Sequence, residues 1–113
     1  MSDREPRLLI GDIIDAAEKI KEYTSDLSVE NFISDSKTVD AVIRNFEIIG
    51  EAARRLPNKF KVSTSQIDWS RIIGFRNRIV HDYIGIDYNI VWRIVQNNID
   101  DLINDLKELL KKM

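Results

Sequence analysis

The stretch I-V-W-R-I-V-Q-N-N-I-D-D-L-I-N-D-L-K-E-L-L, residues 90–110, decides the fold class. Its apolar residues, Ile90, Val91, Ile94, Val95, Ile99, Leu102, Ile103, Leu106, Leu109 and Leu110, recur at steps of three and four. That spacing lays them along one broad face of a long helix, with Asp87 placed to cap it. A helix with one apolar face must bury it against a neighbour. The rest of the chain supplies three.

Immediately upstream, Trp69, Ile72, Ile73, Phe75, Ile79 and Val80 predict a third helix running toward His81. Asp68 or Ser65 would cap it, and Gly85 would close it or nearly so. Val39, Val42, Ile43, Phe46, Ile49, Ala53 and Leu56 predict a second helix, opened by Ser36 or Asp35 and ended by Pro57, because the residue before proline disfavours helix. Leu9, Ile10, Ile13, Ile14, Ala17 and Ile20 predict a first helix from Pro6 to about Tyr23, with Asp3 as its cap. Residues 24–35 form a polar connector, with room for a short turn of helix after Ser28 carrying Phe32 and Ile33 inward. Residues 58–66 are expected to be a loop. No segment has the period of a strand. The expected fold is all-α, an antiparallel four-helix bundle with an extra short helix between helices one and two, in a single domain over residues 1–113.

Composition narrows the chemistry. A 113-residue chain that is 43% hydrophobic and 32% charged should fold as a soluble globule. Without cysteine it has no disulfide, no thiolate nucleophile and no cysteine zinc site. There is no Gly-rich phosphate loop and no metal-ligand cluster, so neither cofactor nor metal is expected. The charged N-terminus lacks the apolar core of an export signal, and no window approaches a membrane span, so a cytoplasmic location is expected. Net charge is -2, but residues 54–93 carry eight basic and three acidic residues, an excess of five positive charges around the lone histidine, His81. An anionic ligand responds to that local field rather than to the total.

Each helical residue advances about 100°. With Arg76 at zero, Trp69, Ile72, Ile73, Ile79 and Val80 all lie within about 60° of it and Tyr83 within about 20°. Arg76 therefore occupies the middle of the apolar face, and a guanidinium there must be paired or open into a cleft. On the second helix, Glu51 and Arg55 have i, i+4 spacing and read as a solvated surface pair; the alternative has Glu47 or Glu51 reaching inward to hold an arginine of the site. Asn77 and His81, four apart, are neighbours, so the amide could orient the imidazole. Arg76 and His81 do not share a face. They converge only through the reach of arginine, through a loosened helix end, or where two chains meet. Taken alone, His81 reads equally well as a helix-end histidine without chemistry, and Tyr83 as a packing residue.

The chemistry left to such a set is phosphodiester cleavage. RNA carries its own nucleophile, the 2′-hydroxyl, so it needs a base, an acid for the leaving 5′-oxygen, and a cation on the developing charge. His81 can serve as base or acid and Arg76 as the cation. A homodimer with its axis beside His81 would supply the second proton-transfer group.

At these residues the sequence resembles HEPN-domain proteins of the HepT type, toxins encoded beside a minimal nucleotidyltransferase antitoxin. The family motif is an arginine, four to six residues, then histidine, with a polar residue after the arginine and a tyrosine two after the histidine. Arg76, Asn77, His81 and Tyr83 fill it, and I-I-G-E-A-A at residues 48–53 is family-like. The resemblance implies a homodimeric, metal-independent ribonuclease toxin with Arg76 and His81 catalytic, Asn77 supporting them at the dimer cleft, and RNA as substrate. It also implies silencing by transfer of AMP onto Tyr83 from the partner nucleotidyltransferase. The alternative expectation is a non-catalytic nucleotide-binding or partner-binding subunit of that nucleotidyltransferase.

Overall fold

The structure, a computed structural model, describes residues 5–81 and 85–113. Six helices run in order through them: α1 (Pro6–Thr24), α2 (Val29–Ser34), α3 (Ser36–Arg55), α4 (Asn58–Ser63), α5 (Trp69–His81) and α6 (Tyr88–Lys112). Among the described residues there is no strand, and the expected all-α bundle is what forms. Among those residues no helix is long and apolar enough to cross a membrane.

Periodicity becomes packing along each long helix. Val91, Val95, Ile99, Ile103, Leu106 and Leu109 are the buried stripe of α6. Leu9, Ile10, Ile13, Ile14, Ala17 and Ile20 form that of α1, and Val39, Val42, Ile43, Phe46, Ile49 and Ala53 that of α3. Each such side chain removed from water contributes roughly 1.5–3 kcal/mol before the entropy of ordering is set against it. Helix α1 is central, packing on both α3 and α6, whereas α5 packs on α3 and hardly touches α6. The long helices thus form an arc, α6, α1, α3, α5, with an open trough between its two ends.

The caps follow the local sequence. Asp35 accepts from the Thr38 N–H at the start of α3, Asp68 from the Arg71 N–H at the start of α5, and Asp87 from the Asn89 N–H at the start of α6. Helix α1 begins after Glu5, whose side chain makes no cap; Asp3, the expected cap, lies outside the described residues.

Three expectations are corrected. Residues 58–63 are helix rather than loop: α4 is followed by buried Thr64, whose hydroxyl donates to the Phe60 carbonyl and accepts from the Trp69 indole N–H at 3.0 Å. That relay ties the turn to α5. Helix α2 does form and buries Phe32 against Trp92, ring centroids 5.2 Å apart, but Ile33 points to solvent. Glu51 pairs with Arg54, one residue short of the expected Arg55.

Candidate active site

The contact between α3 and α5 begins at a missing side chain. A Cβ on buried Gly50 would overlap Cβ and Cγ of Arg76 and lie 3.3 Å from its Cα. Glycine here lets the two helices cross backbone to side-chain stem. Phe46 and Phe75 lock the crossing edge to face, centroids 5.1 Å apart at 89°.

The next residue on α3 then meets the arginine's head. Glu51 Oε2 lies 3.3 Å from Arg76 Nη2, while both Glu51 oxygens accept from Arg54, at 2.7 and 3.2 Å. Arg76 is thus paired and only 26% exposed, as its apolar surroundings demand. Its Nη1 donates to Asn77 Oδ1 at 3.1 Å, and its Nε is buried without an acceptor. The inward-reaching glutamate weighed from the sequence is Glu51, which holds both a surface arginine and the one on the apolar face.

Hydrogen bonds from Arg54 hold the Glu51 carboxyl below the usual carboxylate range, and the charges of Arg54, Arg76 and Arg55 add to this. A carboxylate depressed in the folded state stabilises above its unfolded value, near 4.5, and loses that contribution as pH falls through the folded value. Glu51→Gln is therefore expected to be less stable than the parent at neutral pH, by no more than about 1 kcal/mol given solvent screening. The gap should narrow as pH falls below the unfolded value, near 4.5. Urea titrations at both pH values measure it; a gap unchanged in acid would show that the charge is not what stabilises.

Asn77 and His81 are not hydrogen-bonded: the Asn77 carbonyl oxygen turns to Arg76 instead, 140° of arc from where His81 projects. Among the described residues the His81 side chain makes no hydrogen bond or ion pair, and it is exposed at the end of α5. Arg76 and His81 open into different clefts. Arg76 borders one between α1 and α3 with Arg44, Glu47, Glu51 and Arg55. His81 borders another between α5 and α6, with Arg71, Arg78 and Ile90. Tyr83 lies outside the described residues. Among those residues no group of three or more His, Asp or Glu is placed to hold a metal.

The model of the family described as "Ribonuclease HepT-like" matches residues 13–109. The chain belongs to the HepT-like ribonuclease family. Among curated relatives of this family, "Probable ribonuclease HepT" of Thermococcus cleftensis is 39% identical over 100 residues, 88% of this chain and 91% of the relative. "Putative RNase MJ0127" of Methanocaldococcus jannaschii is 35% identical over 111 residues, 98% of this chain and 92% of the relative. No solved structure matches this HepT-like chain.

What the sequence missed at the site is the role of Gly50 and the choice of Glu51 as brace. Both stand in I-I-G-E-A-A, and the glycine alone would not have marked the close approach, because Gly11 and Gly74 also lie inside amphipathic helices and face open space.

Proposed function

We propose that this HepT-like chain is a metal-independent RNA endonuclease that works as a homodimer and serves as the toxin of a pair with a minimal nucleotidyltransferase. The observation that carries the reading is an unpartnered imidazole, His81, and a carboxylate-braced guanidinium, Arg76, on one short helix beside an uncovered trough. The names of the relatives support the substrate class.

In the reaction His81 of one protomer takes the proton of the ribose 2′-hydroxyl as its oxygen attacks the adjacent phosphorus. The P–O5′ bond breaks and the leaving oxygen receives a proton from the second protomer's copy of the same imidazole, giving a 2′,3′-cyclic phosphate and a 5′-hydroxyl. Arg76, steadied by Glu51 and Asn77, neutralises charge on the phosphorane oxygens. Five residues of helix separate Arg76 and His81 by about 140°, so a second copy is the economical way to bring both functions to one phosphate.

Silencing follows from an AMP group on Tyr83. The phenolic oxygen attacks the α-phosphorus of ATP, pyrophosphate leaves, and the added phosphate competes with RNA for the cationic site. Two measurements test the reading. Purified protein should cleave RNA in excess EDTA, and co-expression with the neighbouring nucleotidyltransferase should add AMP masses to the peptide containing Tyr83. Protein that cuts no RNA yet still binds the nucleotidyltransferase would favour a non-catalytic subunit. An unmodified peptide beside a silenced toxin would mean inhibition by binding alone.

A further inference from the structure

The cleft below His81 holds more cations than the reaction needs. Arg71 and Arg78, seven residues apart on α5, lie within about 20° of one another and about 10.5 Å apart along the axis. His81 continues the row toward the helix end. Between the arginines stands Gly74, where a Cβ would meet nothing within 4 Å, so a ligand can approach the helix backbone.

Neither guanidinium has an acidic partner among the described residues. Asp68, the acid nearest Arg71 in sequence, accepts instead from the Ser70 hydroxyl and the Arg71 backbone N–H. Asp87, the one carboxylate on the described lining, caps α6. The opposite wall is apolar, formed by Phe75 of α5 with Ile90 and Ile94 of α6, all half-buried. At about 860 Å³ the cleft is of the size that takes an organic ligand rather than an ion. Unpaired cations along one rim and an apolar floor along the other match a polymer with phosphates on one side and bare ring faces on the other.

We propose that this cleft is a binding track for single-stranded RNA, in which Arg71 and Arg78 hold backbone phosphates flanking the cleaved bond and Phe75, Ile90 and Ile94 receive an unstacked base. A duplex keeps its ring faces stacked and has nothing to offer the apolar wall. The proposal rests on the ribonuclease reading only for which bond is cut.

The test is fluorescence anisotropy on the full chain with a labelled single-stranded 2′-O-methyl RNA, which lacks the attacking hydroxyl. Affinity is followed against salt. Each single-strand phosphate contact contributes a slope of about 0.7, so Arg71→Gln/Arg78→Gln should lower the slope magnitude by about 1.4. Arg93→Gln, an exposed arginine on α6 outside the lining, should leave it unchanged, and Arg78→Lys should preserve it. With cleavable RNA, KM should rise in the double variant while kcat holds. An unaltered slope in a folded double variant overturns the track, as does equal affinity for duplex RNA. Loss of self-association without a change in slope also overturns it, because a second copy then occupies the cleft. Parental binding and slope loss without any cleavage would keep the track and remove the ribonuclease reading; cleavage with an unaltered slope would do the reverse.

Discussion

Alanine at His81 is expected to lower RNA cleavage by about 10²–10⁴-fold, the usual contribution of a positioned proton-transfer group. Alanine at Arg76 should cost about 10²–10³-fold, as when one preorganised donor to a developing oxyanion is removed. Stability should separate these effects from misfolding. His81 is exposed and has no partner among the described residues, so its removal should change unfolding free energy by no more than about 0.5 kcal/mol. Arg76→Ala removes one cation from Glu51 but leaves both oxygens on Arg54. On the proposed mechanism the two residues act on one phosphate, so the double variant should be little worse than the weaker single variant. Arg76→Lys keeps the charge without the planar fork and should recover only part of the rate. Cleavage that survives both alanine substitutions would remove these residues from the reaction.

The second large effect is expected at Gly50. Alanine there would overlap the Cβ and Cγ of Arg76, and the Cβ is fixed to the α5 backbone, so the helix itself must shift. Overpacking of this kind costs about 1–3 kcal/mol, against which alanine's better helix propensity returns only about 1 kcal/mol. Activity should fall with stability, because moving α5 withdraws Arg76 from Glu51. Gly74→Ala is the control. Its new methyl meets nothing within 4 Å, so the same substitution should raise stability by about 0.5–1 kcal/mol. Denaturant midpoints compare the two directly, and equal gains at both positions would show that the crossing is not set by Gly50.

The long helices were legible because each is long enough for its apolar stripe to repeat several times. The short ones were not. Helix α4 has six residues, two of them lysine, and of its two apolar residues only Phe60 is half-buried, so nothing in its pattern distinguishes it from a loop. A single turn this short owes its form to tertiary contacts, here the Thr64–Trp69 relay. In α2 the docking of Phe32 on Trp92 fixes the rotation and sends Ile33 outward, a choice that local spacing does not contain. At the site, the burden on Arg76 was legible from the helical wheel alone, and so was its angular separation from His81. Its brace was harder to see: i, i+3 and i, i+4 partners of Glu51 are equally reachable along α3, and the contact to Arg76 belongs to another helix.

The arc of helices has two ends, and α5 is one of them. It carries Arg76, Asn77 and His81 while packing chiefly on α3. At 13 residues it is near the length at which a helix in water barely holds together unaided. In a layered fold such an outermost helix plays the part of an edge strand, a border at which a further layer can be added. Half-buried Ile72, Ile73 and Phe75 leave that border apolar, so on the proposed reading association and chemistry share one edge. On the proposed mechanism, a substitution that changes what this edge adheres to also disturbs the groups assigned to the chemistry.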